Sequence, residues 1–147
     1  MRRVLIPAVL AAALTIPAGA VASSHAYSGA VDPSGTLSFK VKKKHGKTRV
    51  RAFRFEQIPV TCDAGADTTF GTLDFGIKVK RKKFHAVAVH QPHGSEGSTL
   101  KVRGRLTGGA RHATGTIRVF GAPPLGSGNP GVNCHTGKRP WTADRKP

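Results

Sequence analysis

Acid is what this sequence has least of: seven Asp and Glu side chains stand against 24 Lys and Arg in 147 residues. The seven are scattered singly, so no two are placed for the acid and base roles that paired carboxylates share. Asp63, Asp67 and Asp74 follow no recognised oxygen-ligand calcium loop. The Gly-x-Ser-x-Gly frame of a nucleophile elbow is missing, since Gly94-Ser95-Glu96-Gly97 and Gly126-Ser127-Gly128 do not fit it. No phosphate-cradling glycine loop precedes a helix. No catalytic residue and no cofactor is therefore expected. Aromatic side chains are few, seven Phe with one Tyr and one Trp. The basic runs hold few of them in exposed phases, and an expected extracellular address adds to this, so nucleic acid is not the expected partner. After residue 22 no stretch repeats apolar residues at i, i+3, i+4 and i+7 for even three turns, so helices should be nearly absent. No second long apolar run follows either, so no transmembrane segment is expected after the first 22 residues.

Those first residues are the clearest feature present. Arg2 and Arg3 precede an apolar run over 4–16, and 17–22 ends in Ala20-Val21-Ala22. Charged start, apolar middle and small-residue exit are the parts of a secretory signal peptide, with Ser23 as the mature N-terminus. A retained membrane anchor fits less well because Pro7, Pro17 and Gly19 interrupt the run. Arg2-Arg3 lacks the flanks of a twin-arginine signal, which favours general secretion. Removing 22 residues from 147 leaves 125, one domain's worth, and lowers the formal charge from +17 to +15. The expected organisation is a signal peptide (1–22), a flexible N-terminal lead-in (23–34) and one domain (35–147).

In an exported chain two cysteines read most simply as one disulfide, Cys62 with Cys134. The link closes a 72-residue loop, for which chain entropy assigns about 4 kcal/mol. A catalytic thiol helped by His135 is the alternative, but neighbours on a strand point to opposite faces.

Period-two alternation dominates the rest. Leu37, Phe39 and Val41 alternate with Ser38, Lys40 and Lys42, a half-buried strand. The strand over 48–57 begins with Val50 inward and changes phase to Phe53 and Phe55, which predicts a bulge near Ala52. Pro59 suggests a bend or an edge position. A loop over 63–67 leads to a strand carrying Leu73, Phe75, Ile77 and Val79, and a turn at Arg81 and Lys82 leads into 84–90. There apolar residues occupy both phases, as in a strand covered on both faces. Strands follow around Leu100 to Leu106, over 113–120, and around Cys134 and Trp141, with a long glycine- and proline-rich connection over 121–131. About eight short strands point to an all-β fold, an antiparallel β-sandwich.

Tyr27-Ser28-Gly29, Gly35-Thr36-Leu37-Ser38-Phe39, Cys62, Ala113-Thr114-Gly115-Thr116-Ile117-Arg118, Cys134-His135-Thr136-Gly137 and Trp141-Thr142-Ala143-Asp144-Arg145 together resemble a group of small secreted β-rich proteins of actinobacteria. The closing Cys-x-Thr-Gly with Trp-Thr-Ala is the most specific part. The resemblance implies export, a β fold and the cysteine pair, and it carries no functional residues.

The surface holds the functional clue. Lys40, Lys42, Lys43, Lys44, Lys47, Arg49, Arg51 and Arg54 crowd residues 40–54 without one acid, and Lys78, Lys80, Arg81, Lys82 and Lys83 form a second cluster. The spacing over 41–48 matches basic clusters that bind sulfated polysaccharides. On hairpin tips at one end of the fold, the two clusters would make one positive edge that attracts anionic polymers by counterion release. The ordinary reading is that lysines guard exposed turns and edge strands, although the excess is larger than edge protection needs. His90 and His93 are the weak candidates for metal ligands. His85, His112 and His135 would have to join them, because a zinc site needs three or four convergent donors. Trp141 either stacks on a sugar or packs in the core, and packing is the more usual fate. The expected function is that of a secreted, non-enzymatic binding or structural protein of the cell envelope, whose partner is an anionic envelope polymer. The alternative is a small secreted hydrolase or hydrolase inhibitor, with 121–131 as the inhibitory loop.

Overall fold

Short runs of alternating apolar and polar residues, separated by turn formers, can satisfy their backbone only by pairing edge to edge. The computed structural model describes residues 22–90, 97–121 and 133–147 and contains ten such strands. They are β1 (Ser23–Val31), β2 (Thr36–Lys44), β3 (Lys47–Cys62), β4 (Gly65–Leu73), β5 (Ile77–Lys78), β6 (Lys83–His90), β7 (Ser98–Thr107), β8 (His112–Gly121), β9 (Cys134–His135) and β10 (Arg139–Arg145). A single 3-10 turn, Gly108–Ala110, joins β7 to β8. The fold is all-β, and Cys62 is bonded to Cys134. Residues 1–21 of the expected signal peptide, residues 91–96 with His93, and residues 122–131 of the expected connection lie outside the described residues.

The sheet closes on itself rather than dividing into the expected sandwich. β10 pairs with both β1 and β8, and the ring β10-β1-β2-β3-β9-β8 forms a six-stranded barrel. β4 and β5 add to β3, while β7 and then β6 extend from β8. Closure depends on β9, which meets β3 at Thr61↔His135 and Cys62↔Cys134 and β8 at Phe120↔His135 and Gly121↔Cys134. Alternation specifies which face of a strand is apolar. It does not specify which edges meet, so this closure could not be read from the pattern.

Local sequence explains the joints. His45 and Gly46, with φ of 48° and 71°, turn β2 into β3, and Arg81 and Lys82, with φ of 47° and 64°, turn the β5 segment into β6. Two successive left-handed residues suit the strand twist of a tight hairpin. Ala52 has a φ of 48°, and the β2–β3 register slips between Ser38 and Lys40. The predicted bulge thus moves the inward phase from Val50 to Phe53 and Phe55. Pro59 lies within β3, opposite Thr68 of β4. On its other edge β2 ends at Glu56 and β9 begins at Thr61, so the imino acid occupies an interval without a partner strand.

Three further expectations are corrected. Residues 23–31 are no flexible lead-in: β1 pairs with β2 on one edge and β10 on the other, and Tyr27 and Val31 are buried. The loop over 63–67 is a two-residue hairpin in which Cys62 faces Gly65. The strand over 84–90 is covered on one face only, since Val87 and Val89 are 56% and 61% exposed. Among the described residues no layer covers Val87 and Val89 on its outer face.

Aromatic rings fill the barrel. Phe39 lies 4.9 Å from Tyr27, 5.7 Å from Phe53 and 6.0 Å from each of Phe84 and Trp141, centroid to centroid. Trp141 is therefore a core residue, and the sugar-stacking reading does not hold. Room for two of these rings comes from a row of small residues across the sheet, in which Phe84 pairs with Gly104, Gly104 with Gly115 and Gly115 with Trp141. A Cβ at Gly104 would stand 2.2 Å from the Phe84 ring, and one at Gly115 would stand 2.4 Å from the indole.

Tyr27 donates its hydroxyl hydrogen to the Ala110 carbonyl. Burial raises its pKa above 10.0, opposed by the positive Arg145. The folded state thus keeps a proton that the unfolded chain releases, so this contribution to stability is complete below pH 10.0 and disappears as pH rises through the folded value. Ultraviolet titration of the single tyrosine should show late ionisation, and Tyr27→Phe should cost about 1 kcal/mol near neutral pH while removing that alkaline loss. An ordinary tyrosine titration would contradict the assignment. Replacing both cysteines by alanine should lower unfolding free energy by about 4 kcal/mol in urea titrations followed by Trp141 fluorescence.

Candidate polyanion interface

The bulged β2–β3 hairpin extends beyond the packed rings and presents its charges in register. Lys40 stands opposite Arg51, Lys42 opposite Arg49 and Lys44 opposite Lys47. Arg49 and Thr48 are partly buried, whereas Lys40, Lys42, Lys44, Lys47 and Arg51 are exposed. Lys43 has the inward phase but lies past the core, so it too is exposed. Arg54 is set apart by an ion pair with Glu56 at 2.5 Å.

The second cluster adjoins the first. Arg49 pairs across its other edge with Lys78 of β5, and Val79 N donates to Thr48 O at 3.0 Å. Lys80 and Lys83 face each other at the next turn, with Arg81 and Lys82 at its tip, and Lys83 pairs with Arg105 of β7. The two basic segments therefore lie side by side at one end of the barrel. Strands are spaced by about 4.8 Å, so Lys42, Arg49 and Lys78 form a row of cations across three adjacent strands.

Carboxylates do little to neutralise this surface. Among the described residues the ion pairs are Arg54–Glu56 and His112–Asp144, the latter at 2.5 Å, and neither involves a lysine of the two clusters. Lys42, Lys44, His45, Lys47, Arg49 and Arg51 line a groove of about 490 Å³. A neighbouring groove of about 480 Å³ is lined in part by Phe75, Gly76, Lys78, Lys80, Lys83 and His85. Gly76 lets the chain pass close to the guanidinium stems, since a Cβ there would be 3.2 Å from Arg49 Cδ.

Some of this face was not singled out in the sequence. Lys101, Arg103 and Arg105 occupy outward positions of β7, and Arg118 does so on β8. Lys101 and Arg118 both rest on the Phe120 ring, at 5.1 and 4.9 Å from its centroid. Each is an isolated cation in the sequence, and the only signal was its place in a period-two strand. Phe75 was expected in a strand's apolar phase, yet it is 49% exposed, in the unpaired stretch between β4 and β5, which each pair separately with β3.

Histidines and cysteines are arranged otherwise. His90 ends β6 opposite Ser98, and His85 is outward on the same strand. His112 leans on Asp144, and His135 is exposed beside buried Cys134. The Cys134–His135 neighbours thus point apart, with the sulfur committed to the disulfide. Among the described residues no three His, Cys, Asp or Glu side chains gather as a metal site, and no helix is long and apolar enough to cross a membrane. Comparison with family models, curated proteins and solved structures finds no match for the chain.

Like charges directly opposed on a sheet destabilise it by roughly 0.2–1 kcal/mol per pair. Added salt should therefore raise the melting temperature, and Arg49→Gln combined with Lys78→Gln should stabilise the protein at low salt and flatten that dependence. A double variant with unchanged salt response would show that the Arg49–Lys78 contact carries no repulsion.

Proposed function

We propose that this is an exported, non-enzymatic protein that binds an anionic polymer of the cell envelope through its basic hairpins. One observation carries the reading: Arg49 pairs with Lys42 on one edge and Lys78 on the other, which joins the two clusters, and among the described residues Arg54, held by Glu56, is the one member of either cluster in an ion pair with a carboxylate. A surface with this much self-repulsion gains free energy when a polyanion displaces the small ions around it. Export is supported by the character of residues 1–22 and by a disulfide, which suits an oxidising compartment. The proposal keeps the chain with the small secreted actinobacterial proteins it resembles.

Retention on a phosphate-rich cell-wall matrix should fall steeply as salt rises to physiological strength. The combined variant Lys42→Gln, Lys44→Gln, Lys47→Gln should reduce the slope of log affinity against log salt by about 0.7–0.9 for each phosphate contact removed. Retention indifferent to salt would sink the proposal. N-terminal sequencing of the product exported by a secreting host should begin at Ser23, and a cell-retained chain with 1–22 intact would refute the export half.

A further inference from the structure

Beside the second basic cluster, and sharing Lys83 and His85 with the groove at Phe75, the outer face of β6, β7 and β8 carries a third groove, of about 520 Å³. Strand register builds its two walls. Lys83, Arg105 and Thr114 stand in one row across the three strands, and His85, Arg103 and Thr116 stand in the next. The floor between them is the Gly104–Gly115 pair, with the Phe84 ring directly beneath one glycine and the Trp141 indole beneath the other.

We propose that this groove is a discrete binding site for a phosphate ester. Rows two residues apart along a strand are about 7 Å apart, a width that one oxyanion can bridge with hydrogen bonds to both walls. Arg105 and Lys83 approach from one side and Arg103 from the other, while Thr114 and Thr116 add hydroxyl donors from the β8 side. Donors from several directions suit the tetrahedral oxygens of phosphate better than the two coplanar oxygens of a carboxylate. The guanidinium groups supply directed, charge-assisted bonds where the hairpin lysines supply mainly point charges. Among the described residues neither Arg103 nor Arg105 takes part in an ion pair. The inference rests on the reading of the basic surface as a polyanion interface, and it assigns the phosphate-selective step to β6–β8 and the general attraction to the hairpins.

The test titrates the protein with inorganic phosphate, glycerol phosphate and acetate at equal ionic strength, following the Gly104 and Gly115 amide resonances and Trp141 fluorescence. Saturable changes centred on the two glycines are expected with both phosphates and should be at least about tenfold weaker with acetate. Arg103→Gln with Arg105→Gln should abolish them, whereas the three-lysine hairpin variant should leave them unchanged. Poly(glycerol phosphate) separates a polymer-borne ester from free phosphate: its affinity, unlike that of phosphate, should fall in the hairpin variant as well. Equal responses to acetate and phosphate would overturn the site, as would unsaturable changes or indifference to the arginine pair. If the groove fails while salt-sensitive retention survives, only this inference is lost. If retention fails while the groove still saturates with phosphate, the hairpin reading falls.

Discussion

The barrel depends on holding β3 and β8 together at β9. Elsewhere these strands are separated by β2, β1 and β10, and at this end a two-residue strand replaces all three. So short a ladder supplies little cohesion of its own, and covalent and side-chain bonds reinforce it. Cys62 is bonded to Cys134 across the β3–β9 pair. Thr136 Oγ1 accepts from Val119 N at 2.9 Å and donates to Gly137 O at 2.7 Å, while its own N–H donates to Val119 O. The clamp lies at the far end of the 16-residue β3 from the basic hairpin, so closure and charge are separated along one strand.

The charged end holds because of what lies beneath it. Val41 pairs with Val50 and Val50 with Ile77, an apolar row one residue along from the cations Lys42, Arg49 and Lys78. All three aliphatic side chains are buried. Burial of each contributes about 1.5–3 kcal/mol, against roughly 0.2–1 kcal/mol lost per opposed cation pair. The sheet can therefore display like charges in register without falling apart, and the repulsion remains available to be relieved by a bound polyanion.

The segments 27–29, 113–118, 134–137 and 141–145 fall mostly on β1, β8, β9 and β10, with the Thr36–Phe39 stretch on β2. Two of their glycines lie where the strands leave no room for a side chain: a Cβ at Gly29 would collide with the Thr142 carbonyl oxygen, and one at Gly115 with Trp141. Tyr27 and Trp141 supply rings to the core and Thr136 ties β9 to β8. These residues are accounted for by packing and closure, whereas the cations on β2, β3, β5 and β7 belong to the surface.

Sequence alone determined the strand character, the inward ring set Phe39, Phe53 and Phe55, the bulge at Ala52, the disulfide, and the two basic clusters. Each is written within one segment as a two-residue period, a phase change, a cysteine pair or a run of like residues. It left β1 outside the domain, took Val87 and Val89 as covered and Phe75 as inward, and passed over Arg103 and Arg105. Those positions depend on which strand lies beside which, and the energy that selects a neighbour comes from edges and rings far apart in the chain. Only the tertiary structure set Lys78 beside Arg49, laid Gly104 against Gly115 between two aromatic rings, and closed the sheet as a barrel. Register between distant strands is a property of the assembled core, and a period of two carries no record of it.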